Sequence, residues 1–422
     1  MGELEKSGAG EPPGLRLMRI GPALTVTAAA AVVLLAGVIA GGLALLGVQG
    51  LKPEAQVSAT TLFDLLKIAF AVVAGLGGLV ALVVAYRRQK VAEAAQVLAE
   101  QSSQREATKL HNERFTTASG QLGHDSPAVR LAGAHALAGL ADDAPTRELR
   151  QTCIDVLCAY LRMPYTPKPA KDAPEADRLA FAGLREVRHT IIRLITAHLR
   201  DNATVSWQGH DLDFTGVVFD GGDFSGAEFS GGMVTFRGAE FSSGGVAFSG
   251  AVFSGGIVDF GHAEFSGGVV TFSYAQFLNG GMVYLGAVFS SGSVAFSHAQ
   301  FSGGEVSFIA AQFAGSAVGF NRAEFSGGTV AFSYARFSGG TVDFRDAQFS
   351  GGTVDFRDAQ FFGGAVDFRC QYPGPLWEAP PMGIPDPVPP GVLEPAWWPH
   401  SGAVPGAVES KGTPDGPTAV KE

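Results

Sequence analysis

The sequence predicts a protein of mixed class: two transmembrane α-helices, a soluble helical connector, and a β-solenoid filling most of the C-terminal half. Three observations predict it. Two long apolar runs precede residue 90, a charged, Ala-rich stretch of helical composition follows them, and from Phe229 onward an aromatic pattern repeats every twelve residues.

Residues 1–22 read as a polar N-terminal tail. Residues 23–48 (ALTVTAAAAVVLLAGVIAGGLALLGV) hold no charge, and at about 1.5 Å per residue they cross a hydrocarbon core about 30 Å thick. The run exceeds a signal-peptide core, so it is expected to be retained rather than cleaved. A second run, residues 65–86 (LLKIAFAVVAGLGGLVALVVAY), contains one charge, Lys67, near enough to the end to snorkel. The two form a hairpin joined by Gln49–Asp64. Arg16 and Arg19 precede the first span and Arg87, Arg88 and Lys90 follow the second. The positive-inside bias therefore places both termini, and everything after residue 86, in the cytoplasm of a multi-pass cell-membrane protein. Gly37 with Gly41, and Ala74 with Gly78, have the four-residue spacing of closely packed membrane helices. No acid or histidine lies mid-span, which argues against a channel or proton path.

Residues 87–200 form the helical connector, with a net charge of +4. The basic excess at Arg87, Arg88 and Lys90 suits an anionic lipid surface. Ser126 followed by Pro127, and Thr146 after Pro145, read as helix starts. Beyond Thr146, residues Leu149, Cys153, Val156, Leu157 and Tyr160 recur at helical spacing, and Leu184, Val187, Ile191, Ile192, Ile195 and Leu199 mark a further core face. His189 and His198 point in different directions, as solvated or capping residues rather than a ligand pair. Cys153, Cys158 and Cys370 are odd in number and lack CxxC or Cys/His spacing, which argues against a disulfide framework or zinc site. Reduced thiols, the first two packed as small hydrophobes, are expected.

Residues 207–371 carry the repeat. Phe214, Phe219, Phe224 and Phe229 follow at five-residue steps; the spacing then alternates seven and five, giving a unit FSGGxVxFxxAx. Two places before each Phe stands a small or β-branched residue, such as Ala239, Ala251 and Ala263, or Val234, Val246 and Val258. Side chains two apart on a strand share a face, so both point to one interior. No unit can bury its own ring, so units must stack, ring over ring, at about 4.8 Å per coil. The Gly pairs (Gly231/Gly232, Gly255/Gly256, Gly351/Gly352) fall in the longer connection as turns.

The pattern resembles the pentapeptide-repeat family, on LDFTG (212–216), VVFDG (217–221), AEFSG (227–231), AQFSG (347–351) and VDFRD (342–346 and 354–358). The resemblance implies a right-handed four-sided β-helix. Two extra residues in alternate motifs depart from the family pattern and imply coils that each hold two of the twelve-residue units; the competing geometry is a two-sided solenoid closing once per unit. The order of hairpin, connector and repeat resembles membrane-bound pentapeptide-repeat proteins of GC-rich bacteria. Beyond the solenoid, residues 372–422 are Pro-rich and are expected to be disordered.

The net charge of −10 belongs to the repeat, where residues 201–371 hold 16 acids against 6 bases and the remainder balances at 24 each. An acidic repeat argues against direct nucleic-acid binding. The slot nine places after each first Phe (including His262, Tyr274, His298, Arg322, Tyr334, Asp346 and Asp358) faces outward without assembling an acid, base and nucleophile. The run Asp343, Arg345, Asp355, Arg357, Asp367 and Arg369 reads as charge pairing between coils. No GxxxxGK[ST] and no strand–GxGxxG–helix setting supports a nucleotide site. No catalytic, cofactor-binding or metal-ligating residue and no cofactor is expected. The favoured function is a membrane-tethered scaffold that presents the solenoid to a cytoplasmic protein partner, with room for a homo-oligomer. The alternative, implied by the family's quinolone-resistance members, is an acidic DNA mimic that binds a topoisomerase or another DNA-binding protein.

Overall fold

The computed structural model describes residues 58–165, 168–370 and 381–395, with scattered positions between residues 25 and 44. The chain divides into two compact units, Met1–Glu106 and Ala107–Glu422. Helix α1 (Ala59–Leu122) is 64 residues long. From Leu62 it is long and apolar enough to cross a membrane, and it is the one such helix among the described residues. Phe70, Val73 and Leu82 project freely from it, each about two-thirds exposed. The expected pair of spans is thus reduced to one among the described residues, because most of residues 23–48 lie outside them. The described positions from Thr25 to Ala44 are helical and exposed. Gly37, Gly41 and Gly78 have nothing within 4 Å, so no described helix packs against these small residues. The helix does not stop at residue 86, because strong helix formers (VAEAAQVLAEQ) follow directly.

In the second unit α2 (Pro127–Asp142) starts at Ser126 with Pro in its first turn. Helix α3 (Arg147–Arg162) is capped by the Thr146 hydroxyl, which accepts from the Leu149 amide at 3.3 Å. Helix α4 (Glu175–Leu199) begins with Glu175 and Asp177 in its first turn, where carboxylates favour the helix dipole. Cys153, Ile154, Leu157, Cys158 and Leu161 are all buried on α3, a wider face than the single stripe expected from the sequence. The cause is packing on two sides, since α3 contacts α2 and α4 and also the first strand of the solenoid. Helices and solenoid share one continuous core.

A coil of the solenoid carries four short strands, as in Ile257–Asp259, Glu264–Phe265, Val269–Thr271 and Gln276–Phe277, the middle two merging in later coils into one strand (Gln312–Gly319, Arg336–Asp343). All strand ladders are parallel, and register fixes the coil length. Val234 pairs with Val258, Val258 with Met282, Val306 with Val330 and Val330 with Val354. Each step spans two repeat units, so the solenoid that closes once per unit is excluded. The opening step is shorter, from Leu212 to Val234 and from Phe219 to Phe241, because the five-residue spacing of the first motifs lacks one two-residue insertion. The longest unbranched ladder has seven strands, so the rod makes about seven turns.

Four aromatic columns fill the interior. Phe236 and Phe260 are 4.6 Å apart between centroids and 3° from parallel; Phe241–Phe265, Phe248–Phe272 and Phe253–Phe277 repeat this at 4.8–4.9 Å. Across the interior two columns meet edge to face, as Phe236 does Phe248 at 5.7 Å and 83°. Burial of each ring contributes about 1.5–3 kcal/mol, and favourable ring geometry adds roughly 0.5–1.5 kcal/mol. Tyr284 replaces Phe in one column, stacked on Phe260 and Phe308, and its buried hydroxyl has no hydrogen-bond partner.

The Pro-rich tail departs from expectation. Within it, residues 381–395 are ordered against the last coil: Val392 pairs with Val366 and Leu393 with Asp367, while the Phe356 and Phe368 amides donate to the carbonyls of Met382 and Leu393. The last coil otherwise presents unpaired backbone groups and the end of a valine column. A segment need not be helical, nor free of proline, to satisfy an edge.

Candidate functional site

The first coil also has an open edge, and the helices close it with side chains. Gln151 donates to the Asp211 carbonyl (2.8 Å), Arg162 to Asp213 (2.9 Å), Arg188 to Val218 (2.8 Å), Thr196 to Asp223 (2.8 Å) and Arg200 to Ser225 (3.1 Å). Arg147 reaches the Gly209 carbonyl in the same way. These groups would otherwise be a template for strand addition.

At the centre of this junction sits Asp220, on the corner after the second motif. His189 Nε2 lies 2.9 Å from its Oδ1; the Tyr165 hydroxyl donates to Oδ2 at 2.7 Å and Arg185 Nε donates to the same oxygen at 2.8 Å. Burial pushes this carboxyl up, but the hydrogen bonds from His189 and Tyr165, the charge on His189 and the Arg185 bond outweigh it and hold it well below the usual carboxylate range. Burial, then the bond to Asp220, pushes the Tyr165 phenol up. Arg188 stacks over the Tyr165 ring at 4.2 Å and is itself buried. Both Asp220 oxygens are therefore taken by protein donors. The cluster resembles a catalytic constellation in residue types, yet its geometry is that of a clamp between α4 and the coil.

A second clamp joins helix ends. Asp142 accepts from Trp207 Nε1 (3.0 Å) and faces His198 Nε2 (3.0 Å), whose ring stacks on Trp207 at 4.1 Å. His189 and His198 thus lie in separate clusters, as their spacing implies. Both are largely buried against carboxylates, which corrects the expectation of solvation. Sequence reading missed Asp220, Tyr165, Arg188, Asp142 and Trp207. One signal was available: Arg185, Arg188 and His189 occupy i, i+3 and i+4 of one helix, a basic face whose one acid at such spacing, Glu186, bonds Arg193 instead.

The outward slot is a turn position. His262, Tyr274, His298, Ala310, Arg322, Tyr334, Asp346 and Asp358 all have φ between 56° and 60°, and the following Ala amide bonds back three residues, as Ala263 does to Phe260 at 3.0 Å. This is the pattern of a type II turn. The slot brings Tyr274 and His298 together, stacked at 4.9 Å. It assembles no cluster of three or more His, Cys, Asp or Glu suited to a metal among the described residues. Asp343, Asp355 and Asp367 are each engaged by the Arg two residues later, with Nε contacts of 2.8–3.0 Å. These pairs lie within a coil; Arg345 also approaches Asp367 of the next coil at 3.9 Å. Cys153 and Cys158 are buried, and burial raises their thiols to about 11 and about 12. At neutral pH they are thiols, not nucleophilic thiolates.

Residues 214–263 match the family described as pentapeptide repeats, in nine copies. No curated protein and no solved structure matches the chain. The matched segment is the start of the solenoid, and the parallel two-unit register established there continues unchanged through the coils that follow. Residues 214–263 are thus pentapeptide repeats, and the β-solenoid of about seven turns that they open fits the pentapeptide-repeat β-helix.

Proposed function

We propose that this protein is a membrane-tethered scaffold, not an enzyme: the apolar part of α1, with the run at residues 23–48, anchors it in the bilayer, and the solenoid offers a rigid surface to a cytoplasmic protein partner. The observation that carries this reading is the division of labour along each coil. The inward positions are taken up by continuous aromatic columns, so the residues free to vary are those that face out. A surface made of parallel columns at fixed spacing suits recognition of another protein. Arg87, Arg88 and Lys90, directly after the apolar stretch, support the cytoplasmic orientation. The DNA-mimic reading needs a row of unpaired carboxylates, whereas Asp343, Asp355 and Asp367 are each neutralised by an adjacent arginine.

The test is cross-linking of the full-length protein in its own membranes. Reproducible recovery of one cytoplasmic protein, lost when Tyr274 and His298 or other outward residues are changed, supports the scaffold. Extraction from membranes by alkaline carbonate would remove the tether from the proposal, and recovery of a topoisomerase would replace the scaffold by the mimic.

A further inference from the structure

Among the helices of the second unit lies a cavity of about 450 Å³, bordered by the end of α1, by α2, by α3 with the turn after it, and by α4. Its size falls within the range of about 300–1,000 Å³ that holds small molecules. Leu122, Val156, Met163 and Leu184 give it apolar walls, while Arg130 and Arg188 supply two guanidinium groups. No carboxylate lines it.

Three features of these polar groups point to a ligand. Arg188 is 3% exposed, and its partners are neutral: the Leu161 carbonyl at 2.7 Å, the Val218 carbonyl at 2.8 Å and the face of Tyr165. Arg130 holds the His124 carbonyl and lies 3.5 Å from the Tyr160 hydroxyl. Among the described residues neither arginine has a carboxylate oxygen within 4.0 Å. The nearby Asp220 is taken by Tyr165, Arg185 and His189. Finally, the Ser119 hydroxyl, on the cavity wall, is buried without a hydrogen-bond partner. Asp220 acts on Arg188 only at longer range, and a buried cation with no carboxylate in contact and an unpaired buried hydroxyl are each costly. One occupant satisfies both.

We propose that this cavity binds a small anionic amphiphile, a carboxylate or phosphate on an apolar body, with the anion on the Arg130/Arg188 side and the body against Leu122, Val156, Met163 and Leu184. Charge alone or hydrocarbon alone would satisfy half of the lining. The site is independent of the scaffold surface, which lies on the outside of the coils.

The test uses the full-length protein in nanodiscs of zwitterionic lipid, titrated with decanoate, with decanol and acetate as probes carrying only the chain or only the charge. Saturable decanoate binding at least tenfold tighter than either control is expected. Arg130→Gln should weaken it at least tenfold, Arg130→Lys should restore part of it, and Ala159→Trp, which fills the cavity, should abolish it. Circular dichroism and melting temperature report whether each variant is folded, and Arg130→Lys serves if Arg130→Gln is not. Equal binding of decanoate and decanol, retention of decanoate binding by folded Ala159→Trp, or no saturable binding would overturn the proposal. Loss of binding when anionic lipid is added to the nanodisc would identify the lipid as the natural source of the same chemistry; no effect of anionic lipid would identify a free carboxylate.

Discussion

The long and short corners of the solenoid use nearly the same backbone conformation and obey different rules. At the long corner, eight glycines from Gly232 to Gly340 have φ between 70° and 77°. At the short corner, φ is 56° to 67° for Gly216, Gly226, Gly238, Gly250 and Gly286 and for the eight other residues described above. At the long corner the left-handed position also leaves no room for a Cβ. A Cβ on Gly256 would lie 2.5 Å from the Gly232 carbonyl oxygen of the coil below, whereas one on Gly238 or Gly250 would meet nothing within 4 Å. Left-handed φ is therefore a tax of about 1–2 kcal/mol that a non-glycine residue can carry. The close approach of the next coil is what favours glycine; where Ser316 takes the place, φ is not positive and the register shifts between Ala314 and Ala317.

The largest effect that tests this contrast is Gly256→Ala. Strain and overpacking together should cost about 3 kcal/mol, read as a shift in denaturation midpoint; a loss below about 1 kcal/mol would erase the difference between corners. Gly238→Ala places the same methyl at the open corner and should cost only about 1 kcal/mol. Tyr284→Phe leaves both corners untouched and removes an unpaired buried hydroxyl, so a gain of about 1 kcal/mol is expected in the same assay. If it destabilises instead, that hydroxyl has a partner and the aromatic column is not uniformly apolar. The smallest change is Ala310→Gly, which relieves the left-handed strain but adds backbone entropy to the unfolded chain. A gain of about 0.5 kcal/mol should remain, visible as a small rise in melting temperature.

The contrast also explains what is legible in the sequence. Periodicity at the level of single residues places Val234, Phe236, Ala239 and Phe241 inside, and all four are buried. It assigns the Gly pairs to turns, because glycine leaves a visible mark where a Cβ is excluded. The short corner reads as an outward slot with no special conformation, since His262, Tyr274 and Arg322 hide the left-handed turn that the glycines at Gly238 and Gly250 betray. Coil length stays open between one repeat unit and two, because ring spacing along the chain does not say which ring lies above which. That needs the pairing of Val234 with Val258.

The junction is less legible for another reason. Arg188 serves the Val218 carbonyl and His189 the Asp220 carboxylate from a distant stretch of the chain, and nothing periodic links them. The cavity beside Arg188 is of the same kind, assembled from four helices with no shared motif. Composition likewise misleads at residues 381–395, where a Pro-rich segment is ordered by the edge it covers rather than by its own propensity.

The register of the solenoid also bears on how such a chain changes length. Shifting an interior coil by two repeat units lays valine (Met282 once) on valine and aromatic on aromatic, as Val258 lies over Val234 and Phe265 over Phe241. The array holds no internal count of its own turns. Duplication or deletion of one whole coil between the two ends leaves every column continuous and both end contacts intact, so rod length can drift in whole turns of about 4.8 Å without a change of fold. Only the helical junction at one end and residues 381–395 at the other tell the chain where the repeat begins and stops.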